Sequence, residues 1–404
     1  FGPAAVTGMW DNWYVWIIGP LLGALSRAGT GWISDRLGGA RPRAGRAALA
    51  REGISWHFRK YHKWPSLPAT IYDMVAGAFT ILGIMRREGA SILHARNHVP
   101  AVMGAIARKF RRAQTVFDIR GFMPEEYTDA GVWPENGYLY RGLKRVERYL
   151  LRTSDAFVLL TEKARELVFP GCQDADDQGR PIEVIPCCVD FARFAIAAQT
   201  SREAVREELN VTNRRVIVYV GSFGGWYLTD EMTEFLAVAH EQDPKTFSLI
   251  LTQSPRQMVI DRMSSLGIAP QDFLVTEVSP GEVPRYLKAA DIAISFIKPC
   301  YSKQASSPTK IAEYLASGLP VVCNAGVGDL DKLIEEKQAG ALLHEFTPQA
   351  YRNTLNEIDQ LKDEANLPER LRLVAREEFD LVGVGRKRYR RLYARLAERA
   401  ARNT

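Results

Sequence analysis

Ser306-Ser-Pro-Thr-Lys-Ile-Ala-Glu-Tyr-Leu-Ala-Ser-Gly-Leu-Pro-Val-Val-Cys-Asn-Ala-Gly-Val-Gly-Asp329 is the stretch that decides the fold of this chain. Ser307 reads as an N-cap and Pro308 as the first helical residue, so free backbone N–H groups and the positive end of the helix dipole point outward together. A helix end of that kind receives anions. Lys310, in the first turn, adds a mobile cation, and Glu313, one turn further on, offers its carboxylate to a vicinal diol. Phosphate and ribose are the natural pair of ligands. Ala312, Leu315 and Ala316 are expected to face a core. Gly318 ends the helix, and Leu319-Pro-Val-Val322 opens a short buried strand.

Working outward, the same strand–helix alternation recurs. Helical spacing from Asp73 to Arg87 precedes a buried strand at Ala90–His94, and a further strand ends in Phe117-Asp-Ile-Arg-Gly121. Tyr138–Thr153 reads as a basic amphipathic helix, Asp155–Thr161 as a strand and Glu162–Val168 as a helix. A polar helical connector over Ser201–Asn213 leads into the strand Val216–Gly221, which opens a second α/β unit. Thr246–Thr252, Phe273–Val278 and Asp291–Phe296 supply more strands, with a helix at Glu282–Ala290. The class is therefore α/β, with parallel sheets wrapped by helices. Ligands of such sheets bind beyond the carboxyl ends of the strands, which places the glycine loop at Gly221, Gly224 and Gly225, the turn after Val278 and the start of the Pro308 helix on one rim.

The donor stretch resembles the nucleotide site of retaining family 4 glycosyltransferases, which read Glu, seven residues, Glu, then a Gly-Leu-Pro-Val-type strand. Glu313 takes the second glutamate; Ala305 stands at the first, and the match is closer to a Ser-Pro-x-Lys-x-x-Glu-Tyr-Leu-Ala variant. The Ile185-Pro-Cys-Cys-Val-Asp190 segment resembles the one that closes the family's N-terminal domain, with Cys188 where glycine is usual. The resemblance implies two Rossmann-like domains facing across a cleft, the GT-B arrangement: an acceptor-side domain over residues 44–195, a nucleotide-sugar domain over 196–384, and a basic C-terminal helix over 385–404 that crosses back to the first. It implies a donor site at Gly221, Ser222, Gly224, Thr276, Val278, Ser307, Thr309, Lys310 and Glu313, with the backbone near Thr276 and Val278 clasping the base. Where the family often has an arginine and a lysine for the diphosphate, this chain has Ser222 and Tyr227, leaving Lys310 as the cation.

The chemistry implied is metal-independent transfer of a sugar, with retention, from a nucleoside-diphosphate sugar that is substrate rather than cofactor, to a glycan or lipid-linked acceptor of the cell envelope. Negative charge grows on the leaving diphosphate, which Lys310 and the helix N–H groups stabilise. Asp118, Arg120 and His94 are the catalytic candidates of the first domain, with His98 near them. Two other readings stay open on sequence: a sugar-nucleotide epimerase or hydrolase of the same fold, and an inactive fusion fragment.

The fragment reading comes from the start of the chain. Residues 9–42 resemble a piece of a nitrate/nitrite transporter of the major facilitator type, carried by Gly31-Trp-Ile-Ser-Asp-Arg-Leu-Gly38 after an apolar run at Trp13–Leu25, and residues 1–43 are expected to lie outside the core fold. No first strand is legible before Ala48, so the first sheet is expected to lack one, and the opening residue, Phe1 rather than Met, suggests a fragment or joined frame.

Composition agrees with a globular enzyme: 404 residues, 46% hydrophobic and 25% charged, exclude disorder and fibre as global descriptions. Five cysteines and six histidines show no metal-ligand spacing. They fit a reducing cytoplasm, and no metal is proposed. The net charge of +6 gathers in residues 41–63, 108–112 and 386–402, with no nucleic-acid module. Trp56-His-Phe-Arg-Lys-Tyr-His-Lys-Trp64, mixing cations and aromatics, reads either as a peripheral contact with the inner face of a membrane or equally as an exposed loop that folds over the donor.

Overall fold

The computed structural model describes residues 16–18, 49–51, 53–57, 59, 62, 64, 66–197 and 200–402. The transporter-like stretch 9–42 therefore lies outside the described residues, apart from the backbone of 16–18. Contacts divide the chain into two compact units. The first contains the described residues through Leu160, Arg165–Val184 and Arg386–Thr404; the second contains Thr161–Ala164 and Ile185–Gly385.

The first unit holds a five-stranded parallel sheet, β1 (Trp16–Ile18), β2 (Ile92–Arg96), β3 (Gln114–Ile119), β4 (Ala156–Leu159) and β5 (Ile182–Val184), in that spatial order. One expectation is corrected here. The sheet does not begin at β2, because Trp16–Ile18 pairs with Leu93–Ala95 in parallel register. The buried edge of β2 presents a row of backbone N–H and C=O groups that need partners, and an apolar Trp-Ile-Ile segment supplies them. The helix Ser66–Glu88 packs Ala78, Leu82 and Met85 against Leu93 and against Met103 and Ala107 of the helix His98–Arg108. The C-terminal helix Lys387–Arg402 buries Leu392 and Leu396 in this unit, and Arg391 grips the buried Glu183 of β5 through two hydrogen bonds of 2.5 Å each. Part of its basic face is thus used inside the fold rather than left to solvent.

The second unit holds a six-stranded parallel sheet: β6 (Arg215–Val220), β7 (Thr246–Leu251), β8 (Phe273–Thr276), β9 (Ile292–Ser295), β10 (Val321–Asn324) and β11 (Gly340–Leu343), in the order β11-β10-β9-β6-β7-β8. From β6 the chain steps outward to β7 and β8, then crosses over and continues outward on the other side from β9. The order reverses between β6 and β9, the position where open α/β sheets leave a crevice at the strand ends. Both faces of the sheet are covered, so the strands are mainly apolar; Val216, Val218, Leu249, Ile250, Ile292 and Ile294 have at most 1% of their surface exposed. The strand expected from Leu319 starts at Val321, since Pro320 has no N–H to give the ladder, although its carbonyl still accepts from Ala293 at 3.0 Å. The unit begins at Ile185 because Val189 pairs with the far end of the chain: its N–H donates to Phe379 and its carbonyl accepts from Leu381.

Candidate active site

Lys310 sits at the β6/β9 switch point, on the helix Thr309–Ala316 that follows β9. That helix is fixed by Tyr314. Its buried hydroxyl accepts from the N–H of Val220 on β6 at 2.8 Å and donates to the carbonyl of Ile294 on β9 at 3.4 Å, bracketing the two strands. Ala312, Leu315 and Ala316 are buried in the core as the spacing predicted, Ile311 is buried with them, and each large side chain of this kind contributes about 2 kcal/mol by leaving water. The helix starts one residue later than expected. Pro308 occupies the N-cap position with an extended backbone, and the Ser307 hydroxyl, expected as the cap, accepts instead from the N–H of Cys187 at 3.0 Å. Thr309 is exposed at the first helical position, where a backbone N–H lies ahead of any intrahelical partner.

The Lys310 ammonium is 3.3 Å from the Tyr219 hydroxyl and lies over the rings of Tyr219, at 4.4 Å, and Tyr227, at 4.1 Å. Tyr219 comes from β6 and Tyr227 from the loop behind it. Burial brings Lys310 down to about 7, against the pull of the Glu313 charge, and its nitrogen is held in a dry, aromatic cradle to which no carboxylate of the described residues is bonded. Gly221 makes the cradle possible. A Cβ there would stand 2.6 Å from the Lys310 nitrogen and 3.1 Å from the Tyr219 oxygen, and its φ of +147° already disfavours any side chain. The following loop is tied down on every side. The Ser222 carbonyl accepts from the Tyr219 hydroxyl at 2.5 Å, the Gly224 N–H donates to Thr229 at 2.9 Å, and Tyr227 bridges to Ile297 beyond β9.

Glu313 lies one turn behind Lys310 with 15% of its side chain exposed, and Arg193 approaches its carboxylate at 3.6 Å. Burial raises the Glu313 carboxyl, opposed by the charges of Arg193 and Lys310. Arg193 also donates to the carbonyl of Pro280, in the turn after β8. It therefore links Glu313 to the segment expected to meet the base. Within that segment the Thr276 carbonyl is already taken by the N–H of Thr252 at 2.9 Å, and the Val278 side chain packs on the core. The second unit thus gathers Gly221, Ser222, Lys310 and Glu313 around one point. It adds Arg193, Tyr219 and Tyr227, which sequence reasoning missed as site residues. Ala305, at the place of the family's first glutamate, is 1% exposed and belongs to the core.

The first unit brings His94, Asp118 and Arg120 together as well, at the ends of β2 and β3. Asp118 receives His94 Nε2 at 3.3 Å and the Tyr389 hydroxyl at 3.3 Å, and Arg120 stands 3.7 Å from its other oxygen. Burial pushes the Asp118 carboxyl up, yet Arg120, the His94 hydrogen bond and the charges of His94 and Arg96 together hold it below the usual range. An ionised Asp118 fixes the imidazole tautomer: Nε2 carries the proton, and Nδ1 accepts from the Tyr393 hydroxyl at 2.6 Å, whose own ionisation is suppressed by burial. Asp118 and His94 are 2% and 4% exposed, a closed network rather than an open pair of groups. His98 is fully buried, on Glu147 at 3.0 Å and Asn97 at 2.8 Å. Among the described residues, no group of three or more His, Cys, Asp or Glu is arranged to hold a metal ion.

Comparisons with known proteins follow the same two-unit division. The Glycosyltransferase Family 4 model matches residues 39–193 and the Glycosyl transferases group 1 model matches residues 201–378. Spore coat protein SA of Bacillus subtilis (strain 168) is 22% identical over 176 residues, which span 41% of this chain and 45% of that protein. The chain thus matches under half the length of this curated relative. Among solved structures, a glycosyltransferase from Rickettsia africae ESF-5 superposes with a TM-score of 0.67 at 16% identity, covering 95% of this chain and 99% of that one. Anabaena Alr3699/HepE, solved in complex with UDP, superposes with a TM-score of 0.63 at 16% identity, covering 87% and 89%. Glycosyltransferase family models thus match both halves of the chain in turn, and the solved structures share its GT-B fold of two parallel-sheet units.

Proposed function

We propose that the chain transfers a sugar, with retention, from a nucleoside-diphosphate sugar to a glycan or lipid-linked acceptor in the cytoplasm, and that Lys310 and Glu313 hold the donor. One observation carries this reading: a buried lysine nitrogen with no bonded counter-ion among the described residues stands at the sheet's switch point, beside a helix N-terminus and one turn ahead of a largely buried carboxylate. A pyrophosphate there meets Lys310 and the first N–H groups of the helix, and the adjoining ribose meets Glu313, with Arg193 orienting the carboxylate. Uridine is the base to test first, since HepE was solved with UDP and with UDP-glucose.

Breaking the anomeric C–O bond leaves negative charge on the diphosphate, and a cation waiting in a desolvated cradle stabilises that charge more than it stabilises the bound ground state. The departing phosphate then takes the acceptor's proton on the same face, so the reading asks neither for a side-chain base nor for a metal. Asp118 and His94 act as positioning residues in the first unit, and the Arg120 side chain, 11% exposed, is more open than either. Protection against thermal unfolding by a panel of sugar nucleotides, followed by transfer assays with the protecting donor, tests the function. Glu313→Ala should abolish the protection. Unchanged protection and transfer in both Glu313→Ala and Lys310→Ala would overturn the site.

A further inference from the structure

The first unit holds a cavity of about 500 Å³ whose lining belongs neither to the donor site nor to the His94–Asp118 network. That volume lies within the range of small-molecule sites, roughly 300–1,000 Å³. The cavity opens between β2, β3 and the helices His98–Arg108 and Tyr138–Thr153. Leu93, Val116 and Leu150, each at most 1% exposed, give it an apolar wall. The helix His98–Arg108 adds Ala101, Gly104 and Ala105 to that wall, and a Cβ on Gly104 would still stand 3.7 Å from Leu93, so side chains do not close the space. Thr115 and Asp155 place it at the starts of β3 and β4, whereas Asp118 and Arg120 stand at the end of β3.

The rim is basic. Arg108, Lys109, Arg152, Arg180 and Arg399 line it against one carboxylate, Asp155. Two of these cations are spent on the fold. The last carbonyls of the helix Tyr138–Thr153 have no intrahelical partners. Arg180 donates to those of Leu151, Arg152 and Ser154, and Arg108 to that of Thr153. Asp155 is spent as well, on Arg108 at 3.0 Å and the Thr115 N–H at 2.8 Å, and the neighbouring Asp176 holds Arg180 at 2.6 Å. Lys109 and Arg152, both exposed, make no ion pair among the described residues, and Arg399 donates one N–H to the Gln178 carbonyl at 3.0 Å and keeps others to give. Three cations with donors to spare thus stand over an apolar chamber, beside the half-exposed ring of Tyr149.

We infer that the first unit binds an aromatic phosphate ester in this cavity, with its ring against Leu93, Val116 and Leu150 and its phosphate on Lys109, Arg152 and Arg399. The apolar wall asks for a hydrocarbon body, and the unbalanced rim asks for an anion. A phosphate offers three acceptor oxygens to the three cations, and Tyr149 gives a planar ring a stacking face at the entrance. The inference stands apart from sugar transfer, because this binding is read without donor or acceptor.

The test titrates 1-naphthyl phosphate into the full chain, with and without excess UDP, and follows the fluorescence anisotropy of the ring. One equivalent should bind whether or not UDP is present, at least about tenfold more tightly than 1-naphthol or inorganic phosphate added as competitors, and more weakly as salt rises. Lys109→Gln with Arg152→Gln, both at exposed positions, should weaken the phosphate ester by about tenfold and leave 1-naphthol unaffected. Ala105→Phe should fill the chamber and abolish binding, with the unfolding midpoint as the check on folding; should that variant not fold, the exposed pair decides. A wild type that does not bind the probe at low salt would overturn the inference, as would an affinity unchanged in the charge variant. So would a probe that UDP displaces and that Lys310→Met no longer binds, which would give the phosphate to the donor site.

Discussion

Lys310 must be charged to hold a pyrophosphate, yet burial brings it to about 7 in the ligand-free protein. At pH 8 about a tenth of the molecules then carry the ammonium. A bound diphosphate restores the charge by raising the pKa, so donor binding takes up ~0.9 proton at pH 8, ~0.5 at pH 7 and ~0.1 at pH 6. The sign follows directly: the bound state holds the extra proton, so affinity falls as pH rises above 7, by about tenfold per pH unit until the bound-state pKa is passed. The assay is calorimetric titration with UDP in paired buffers of unlike ionisation heat, on wild type and on Lys310→Met. The terminal phosphate's own titration contributes to both proteins, so the difference between them reports Lys310. Equal proton uptake at pH 8 in the two proteins would refute the reasoning, and so would a wild-type affinity that is flat from pH 7 to 9.

Gly221→Ala puts a methyl group 2.6 Å from the Lys310 nitrogen at a φ that resists side chains. It should displace the ammonium, lower UDP affinity by at least about tenfold and cost about 1–3 kcal/mol of stability, both measurable by titration and thermal unfolding. Asp118→Ala leaves Arg120 and His94 without their buried partner and should destabilise the first unit by about 3 kcal/mol, seen as a lowered denaturation midpoint. Tyr393→Phe removes the hydrogen bond to His94 while keeping the ring, and should change KM or kcat less than Asp118→Ala does; a larger loss would move the chemistry onto His94 itself. Dialysis against EDTA should leave the transfer rate unchanged, whereas a rate restored only by an added divalent cation would replace Lys310 as the principal charge.

The donor stretch was legible because it compresses a helix start, a cation, a carboxylate and a buried strand into two dozen residues, with periodicity visible in each part. Helices at Tyr138–Thr153 and Glu162–Val168 also stood out, the first by its amphipathic spacing and the second by the strand before it. What stayed hidden depends on contacts between distant residues. β5 is three residues long with a glutamate at its centre, and Glu183 is tolerable there only because Arg391 comes from the far end of the chain. Ser307 looked like a cap until the Cys187 N–H claimed its oxygen. Tyr219 lies inside the apolar strand β6 and Arg193 three residues past Asp190, and nothing local says that one cradles Lys310 and the other reaches Glu313. Trp16–Ile18 sits inside the stretch read as lying outside the core fold, and no local pattern there marks a strand that pairs with β2.

Lys310 and Glu313 hold the donor only if a nucleoside diphosphate binds between them. A crystal structure of the chain grown with UDP is the most direct measurement: the diphosphate oxygens should lie about 3 Å from the Lys310 nitrogen and from the first backbone N–H groups of the Thr309–Ala316 helix, with the ribose hydroxyls on Glu313. UDP bound away from Lys310 and Glu313, with the Tyr219–Tyr227 cradle unchanged and empty of phosphate, would contradict it.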